Sequence, residues 1–260
     1  MDNVIIGGEI PPSPGLRGTT LPLRSRSNSP VIIFTVNSTK NKSQIEAAPL
    51  AGAEKPARWT NPCNATRKLS STDLTIPVIS DFEKIQNINE KLIDLRDISK
   101  ALRDRLAKER IKNEVLVQAL QSQHIDGFPN INVSQQDLEE YTKNVTLAYV
   151  RTYRDLSVVA IFMEASLEDE EKYEYGSWSP EFKNKEDSLY KLLCEVHNAI
   201  TDNGAAIEYQ SRDIMPSSML SVSDRSLRQM RDYVITRDCA TLCQSFLDMN
   251  EVLVKSMNSS

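Results

Sequence analysis

The stretch from 227 to 257, near the C-terminus, is the sequence feature that most constrains the fold. Its apolar residues recur at steps of three and four, the spacing that lines one face of an α-helix. They are Val234 or Ile235, Cys239, Leu242, Phe246, Met249 and Leu253. A helix with one apolar face must bury that face against another element, so the stretch predicts the last helix of an all-α bundle.

Three earlier stretches have the same spacing, and together the four predict a four-helix bundle over residues 80–260. The predicted helices span about 81–122, 135–170, 185–203 and 224–257. Ser80, Ser134 and Ser223 are the expected N-caps, and Asn203-Gly204 is the expected end of the third helix. The connection between the first two helices would have about ten residues, which is short for an up-up-down-down arrangement.

Residues 1–79 differ in composition from the rest of the chain and predict a long disordered tail. Most of the prolines and glycines lie there, with polar runs of Ser, Thr and Asn. Such a composition does not bury enough apolar surface to offset the entropy lost on ordering. The predicted folded domain is therefore 80–260.

Charge and motifs argue against two classes of function. The net charge is −5, without the basic face that nucleic-acid-binding domains present. His124 and His197 are the only histidines, and no GxGxxG, GxSxG, P-loop or HExxH motif occurs. We therefore expect neither catalysis nor a cofactor, and we expect the chain to act by binding another protein.

The cysteines allow three interpretations. Cys194 and His197 share one face of the third helix, and Cys239 and Cys243 share one face of the last. Buried free thiols are expected first, because free cysteine is commonly buried as a small apolar residue. If the chain is secreted, Cys194 could form a disulfide with Cys239 or Cys243. The four residues could also bind zinc tetrahedrally, although the specific C-x2-C spacing is missing.

The signals for cellular compartment conflict. Asn-x-Ser/Thr triplets, the acceptor for N-glycosylation, occur at Asn37, Asn41, Asn64, Asn132, Asn144 and Asn258. The first thirty residues, however, contain no charged start followed by an apolar core, so no signal peptide is recognised. The apolar run 31–36 is too short to span a bilayer, and no membrane span is predicted.

The last predicted helix contains the phrase Gln244-Ser245-Phe246-Leu247-Asp248, followed by Leu253 and Lys255. This phrase resembles the last helix of the long-chain four-helix cytokines of the interleukin-6 and granulocyte colony-stimulating factor group, which includes the insect unpaired-type ligands. The resemblance implies a secreted ligand that binds a cell-surface cytokine-class receptor and activates Janus kinase and STAT signalling. It also implies that Lys255, the basic position near the helix end, contacts the receptor.

The alternative function is that of an intracellular helical adaptor or coiled-coil module. It is favoured by the missing signal peptide, by the kinase-type sites Ser27 and Ser29, and by the heptad spacing of the first helix. Trp59 and Trp178 lie outside the predicted helices. Trp59 is a candidate binding residue in the tail, whereas Trp178 is expected to fold onto the end of the bundle.

Overall fold

The computed structural model describes residues 57–63 and 79–259 of the chain. Six α-helices make up most of these residues and no β-strand occurs among them, so the predicted all-α fold is confirmed. The helices are α1 (Asp81–Arg105), α2 (Glu114–Leu120), α3 (Gln135–Lys143), α4 (Val145–Tyr173), α5 (Ser179–Asp202) and α6 (Arg225–Asn258). Within the same ranges, no helix has both the length and the apolarity needed to cross a membrane.

Local sequence decides where the helices begin. Ser80 caps α1 and exchanges two hydrogen bonds with Glu83, the reciprocal arrangement known as a capping box. Ser134 caps α3 in the same way. Both N-caps were expected from the sequence. The expected cap Ser223 is wrong by one residue, because Asp224 caps α6.

The first predicted helix, 81–122, is not continuous. α1 ends at Arg105 and passes into a π-helical turn, Leu106–Ile111. Lys112 then takes a left-handed backbone conformation with φ of 54°, which ends the helix. The side chain of Asn113 caps the short helix α2 that follows.

The second predicted helix, 135–170, is also broken. Asn144 has an extended backbone with φ of −147°; it ends α3, and its side chain accepts the Thr146 N–H to cap α4. The long helices α1 and α4 are therefore joined by residues 106–144, which we call the first crossover. The expected ten-residue connection is wrong, because two polar caps interrupt an otherwise continuous apolar spacing.

Contacts between side chains fix the directions of the four long helices. Asn89 of α1 accepts a hydrogen bond from Asn250 of α6, and further along α1 Ser99 donates to Cys239, so α1 and α6 are antiparallel. Asn203, at the end of α5, accepts from Lys84 near the start of α1. α1 and α5 are therefore antiparallel too.

The end of α4 lies beside the start of α6. Asp169 near the end of α4 forms a salt bridge of 2.7 Å with Arg231 in the first turns of α6. Since α4 and α5 are joined by the tight turn 174–178, they are also antiparallel. α1 and α4 thus run in one direction and α5 and α6 in the other, and α1 and α4 each pack against both α5 and α6.

Two long connections run along the outside of these helices. The first crossover lies across α6, where Arg237 donates to the carbonyls of Leu120 and Gln123. The second crossover, residues 203–224, lies along α4, where the Val222 N–H donates to Asp169. The two crossovers meet at Gly127, where a Cβ atom would collide with the Ile214 carbonyl oxygen.

A buried ionic junction holds α4, α6 and the second crossover together. The Arg231 side chain is 1 % exposed and bonds to the carboxylates of Asp169 and Asp232 and to the carbonyl of Met219. Arg228, one turn earlier, pairs with Glu174 at the end of α4. Removing one partner of such a junction leaves uncompensated charge in the interior.

We predict that Arg231→Met lowers the free energy of unfolding by about 3–5 kcal/mol, because Asp169 and Asp232 lose their buried counter-charge. Chemical denaturation monitored by circular dichroism measures the change. Arg154→Met is the matched control, since Arg154 is 52 % exposed in its pair with Asp155. The control is expected to cost less than about 1 kcal/mol. Equal losses in both variants would contradict the role assigned to the junction.

Candidate protein-binding surfaces

Residues 57–63 form a short segment, here called the strap, that is fastened to the helical core. Trp59 is 4 % exposed, and its indole Nε1 donates to the carbonyl of Gln210 in the second crossover. The hydroxyl of Tyr153 on α4 donates to the Trp59 carbonyl at 2.6 Å. The placement of these residues in a tail without a core is therefore wrong, and Trp59 is an anchor within the chain.

The strap is also bound covalently. Cys63 forms a disulfide with Cys194 of α5, with the two Cα atoms 4.8 Å apart. The predicted pairing of Cys194 with Cys239 or Cys243 is wrong, because both of these cysteines are free and buried. Spacing alone could not find the pair, since its members are 131 residues apart and one lies outside the predicted helices.

Cys239 and Cys243 lie in the core, as expected for buried thiols. The Ser99 hydroxyl donates to the Cys239 sulfur at 3.5 Å, and the buried Lys185 ammonium lies nearby, bonded to Thr236. The hydrogen bond from Cys243 and the positive charge of Lys185 lower the pKa of Cys239, and burial lowers the pKa of Lys185. No group of three metal-binding side chains occurs in the described ranges, so the zinc interpretation is not supported.

Counting thiols tests this arrangement directly. We predict that alkylation of the native chain leaves Cys239 and Cys243 unmodified, that denaturation without reductant exposes these two, and that reduction exposes all four cysteines. Peptide mapping of the unreduced chain should recover a fragment that joins Cys63 to Cys194. A fragment that joins Cys194 to either α6 cysteine would contradict the structure.

An open cleft of about 910 Å³ lies between the strap, α4, α5 and the second crossover. Trp59 and Leu167 contribute apolar surface to it. Its charged lining consists of Glu164, Glu168, Glu171, Glu186, Arg58 and Arg212. The two arginines are held in salt bridges at the rim, Arg58 with Glu186 and Arg212 with Glu168. Glu171 also forms a salt bridge, with Lys183, so three of the four lining carboxylates are paired with a basic side chain.

Glu164 is the carboxylate in this cleft whose charge is least compensated. Its Oε1 atom accepts a hydrogen bond from the Tyr190 hydroxyl at 2.5 Å, and it forms no salt bridge within the described part of the chain. Burial raises the pKa of Glu164 above its ordinary value of 4.5, and the neighbouring Glu186 adds to this, against the opposing hydrogen bond from Tyr190 and the charges of Arg212 and Arg58.

Because the pKa of Glu164 is raised on folding, the folded state favours the protonated side chain more than the unfolded state does. Its stabilising contribution is full below the unfolded pKa and is lost as the pH rises through the folded pKa. We predict that Glu164→Gln becomes more stable relative to wild type as the pH rises from about 4 to about 7. Urea denaturation at several pH values measures the difference. Glu139→Gln, an exposed site on α3, is the control and should follow wild type; a Glu164→Gln curve parallel to wild type would contradict the assignment.

Lys255 lies on the exposed surface near the end of α6, where the sequence resemblance puts a receptor contact. Its ammonium forms a salt bridge of 2.5 Å with Glu251, one turn earlier, and both side chains are exposed. An exposed pair of this kind contributes little to stability. Lys255 is therefore accessible to a partner.

Three of the six glycosylation triplets lie in the part of the chain that the structure describes. Asn132 and Asn144 are exposed in the first crossover, and Asn258 is exposed at the end of α6. At Asn144 the side-chain oxygen caps α4, which leaves the nitrogen free to carry a glycan. Asn37, Asn41 and Asn64 lie outside the described residues, as do Ser27 and Ser29.

Two further residues singled out in the sequence contact the helical core. Trp178 is half-buried at the start of α5, with the guanidinium groups of Arg105 and Arg110 about 4.7 and 4.6 Å from its ring. This confirms that it folds onto the end of the helices. His197 is half-buried beside the ring of Tyr153, and burial lowers its pKa. His124 is exposed in the first crossover.

Comparison with known proteins identifies no relative of this chain. No protein-family model matches the chain, and no curated protein or solved structure shows a significant match.

Proposed function

We propose that this chain is a secreted, cytokine-like ligand whose four long helices form an up-up-down-down bundle, and that it binds a cell-surface receptor of the cytokine class to activate Janus kinase and STAT signalling. The single observation that carries the proposal is the combination of helix directions and connections. α1 and α4 run one way, α5 and α6 run the other way, and a long crossover precedes α4 and another precedes α6.

This combination of helix directions and connections distinguishes up-up-down-down bundles from simpler helical bundles. Bundles in which each helix simply returns beside the previous one need only short loops. Two parallel neighbours in sequence require a connection that spans the length of the bundle, and the up-up-down-down bundles of cytokines contain two such connections. Residues 106–144 and 203–224 serve this purpose here. The phrase at 244–248 and Lys255 support the same class.

The disulfide and the triplets support the secreted location. Disulfides persist in oxidising compartments and are rare in the cytosol. The Cys63–Cys194 bond fastens the strap to α5, so it contributes to the folded structure. Asn132 and Asn144 are exposed, as glycan acceptors must be. An intracellular adaptor, the alternative from the sequence, accounts for neither feature.

We predict that the full chain, expressed in eukaryotic cells behind a heterologous leader, accumulates in the medium with a glycosidase-sensitive mass. Asn144→Gln should lose one glycan and still fold, because glutamine retains a side-chain oxygen. Lys143→Gln, next to the triplet, is the control and should keep the glycan. Unglycosylated chain retained inside the cell would contradict the secreted ligand.

We further predict that the purified chain activates a STAT-driven reporter in responsive cells, and that Lys255→Glu lowers the response by about tenfold or more. The reason is that reversing one charge in an interface replaces attraction by repulsion. Lys143→Glu, an exposed lysine on α3, is the matched control and should signal like wild type. Unchanged signalling by Lys255→Glu at equal folded concentration would remove this residue from the receptor contact.

A further inference from the structure

The turn between α4 and α5 presents one tyrosine entirely to solvent. Tyr175 is 97 % exposed, more than any other large aromatic or aliphatic side chain described; Val115, at 81 %, is the next. Its backbone has a positive φ of 54°, and the following Gly176 has φ of 69°. The Gly176 N–H donates to the carbonyl of Glu170. The turn is thus fixed by its backbone, and the phenol stands at its tip.

The neighbouring Tyr173, the last residue of α4, is in contact with other side chains. The hydroxyl of Tyr173 lies 3.1 Å from the Ser221 hydroxyl. The ammonium of Lys172 and the guanidinium of Arg228 each lie 4.7 Å from the Tyr173 ring centroid. Both tyrosines are present in the sequence, but Tyr173 is half-buried and its hydroxyl and ring are in contact with other side chains, so Tyr175 is the more accessible acceptor.

The chain before Tyr175 is acidic. Carboxylates occupy five of the seven preceding positions: Glu168, Asp169, Glu170, Glu171 and Glu174. Asp169, Glu170 and Glu174 turn inward to arginines. Glu168 and Glu171 pair at the surface with Arg212 and Lys183 and remain 63 % and 52 % exposed. An enzyme that transfers an anionic group from a nucleotide donor must have a basic site. An acidic approach to the acceptor is therefore complementary to it.

We propose that Tyr175 is an acceptor for O-sulfation, the tyrosine modification of the secretory pathway. The inference rests on the proposed function in one respect, since only a secreted chain meets this modification in the cell. A kinase would find the same accessible acidic site, so phosphorylation is the competing outcome that the experiment separates.

The reaction balances with a sulfuryl donor, 3′-phosphoadenosine 5′-phosphosulfate. The phenolic oxygen of Tyr175 attacks the sulfur, and an oxygen–sulfur bond forms. The bond from sulfur to the donor's phosphate oxygen breaks, which releases the adenosine 3′,5′-bisphosphate. The phenolic proton passes to a base of the transferase. No oxidation occurs, and the tip of the turn gains one permanent negative charge.

The site is tested first without any dependence on secretion. The purified, folded chain is incubated with Golgi membranes and the donor carrying radioactive sulfur. We expect incorporation into wild type and Tyr173→Phe, and a loss of at least about tenfold in Tyr175→Phe, because the accessible acceptor is removed. Equal incorporation in Tyr175→Phe and wild type, or incorporation lost only in Tyr173→Phe, would overturn the proposal, as would no incorporation into wild type.

The second arm examines the chain made by cells. Accurate mass and acid lability distinguish a sulfate ester from a phosphate ester on the peptide that contains Tyr175. Sulfate on Tyr175 of glycosylated chain from the medium supports both proposals. Glycosylated chain in the medium with unmodified or phosphorylated Tyr175 overturns the sulfation and leaves the secreted ligand standing. Chain retained in the cell counts against the ligand, and the membrane experiment then decides the acceptor site by itself.

Discussion

The buried contact between Arg231 and Asp169 determines how the rest of the molecule is arranged. It joins the end of α4 to the start of α6, so it sets these two helices antiparallel. The same two side chains also hold the second crossover, since Arg231 donates to the Met219 carbonyl and Asp169 accepts the Val222 N–H. A buried ion pair is a weak source of stability compared with apolar packing, but it tolerates few alternative geometries. Its contribution here is to specify one path for the chain.

Features set by neighbouring residues could be predicted from the sequence. The all-α class, the caps Ser80 and Ser134 and the end of α5 at Asn203 depend on residues within one or two turns. The breaks at Lys112 and Asn144 could not be predicted in this way, because the apolar spacing continues across both. At each break a polar side chain caps a new helix: Asn113 caps α2 and Asn144 caps α4. Because of those breaks, the connection between α1 and α4 comprises residues 106–144, whereas the apolar spacing predicts a connection of about ten residues.

The candidate surfaces were less predictable than the fold. Lys255 could be named because it lies in a contiguous phrase, and its exposure follows from helical spacing. The strap depends on contacts between distant parts of the chain: Trp59 with Tyr153 and Gln210, and Cys63 with Cys194. Composition places these residues in a polar, proline-rich region, so the sequence alone predicts that they belong to the tail. A tryptophan and a cysteine four positions apart were the one local signal for an anchored segment.

The strap also limits where a partner can bind. It covers part of the surface between α4 and α5, where Arg58 lies over the Tyr190 ring and Trp59 fills the space beside Tyr153. Any protein that contacts the helices directly is therefore restricted to surfaces away from the strap, which include the end of α6 at Lys255. The tip at Tyr175 projects from the opposite end of the helices, because α4 ends where α6 begins. The two sites therefore lie at opposite ends of the long helices, and the proposed ligand would present them to separate partner surfaces.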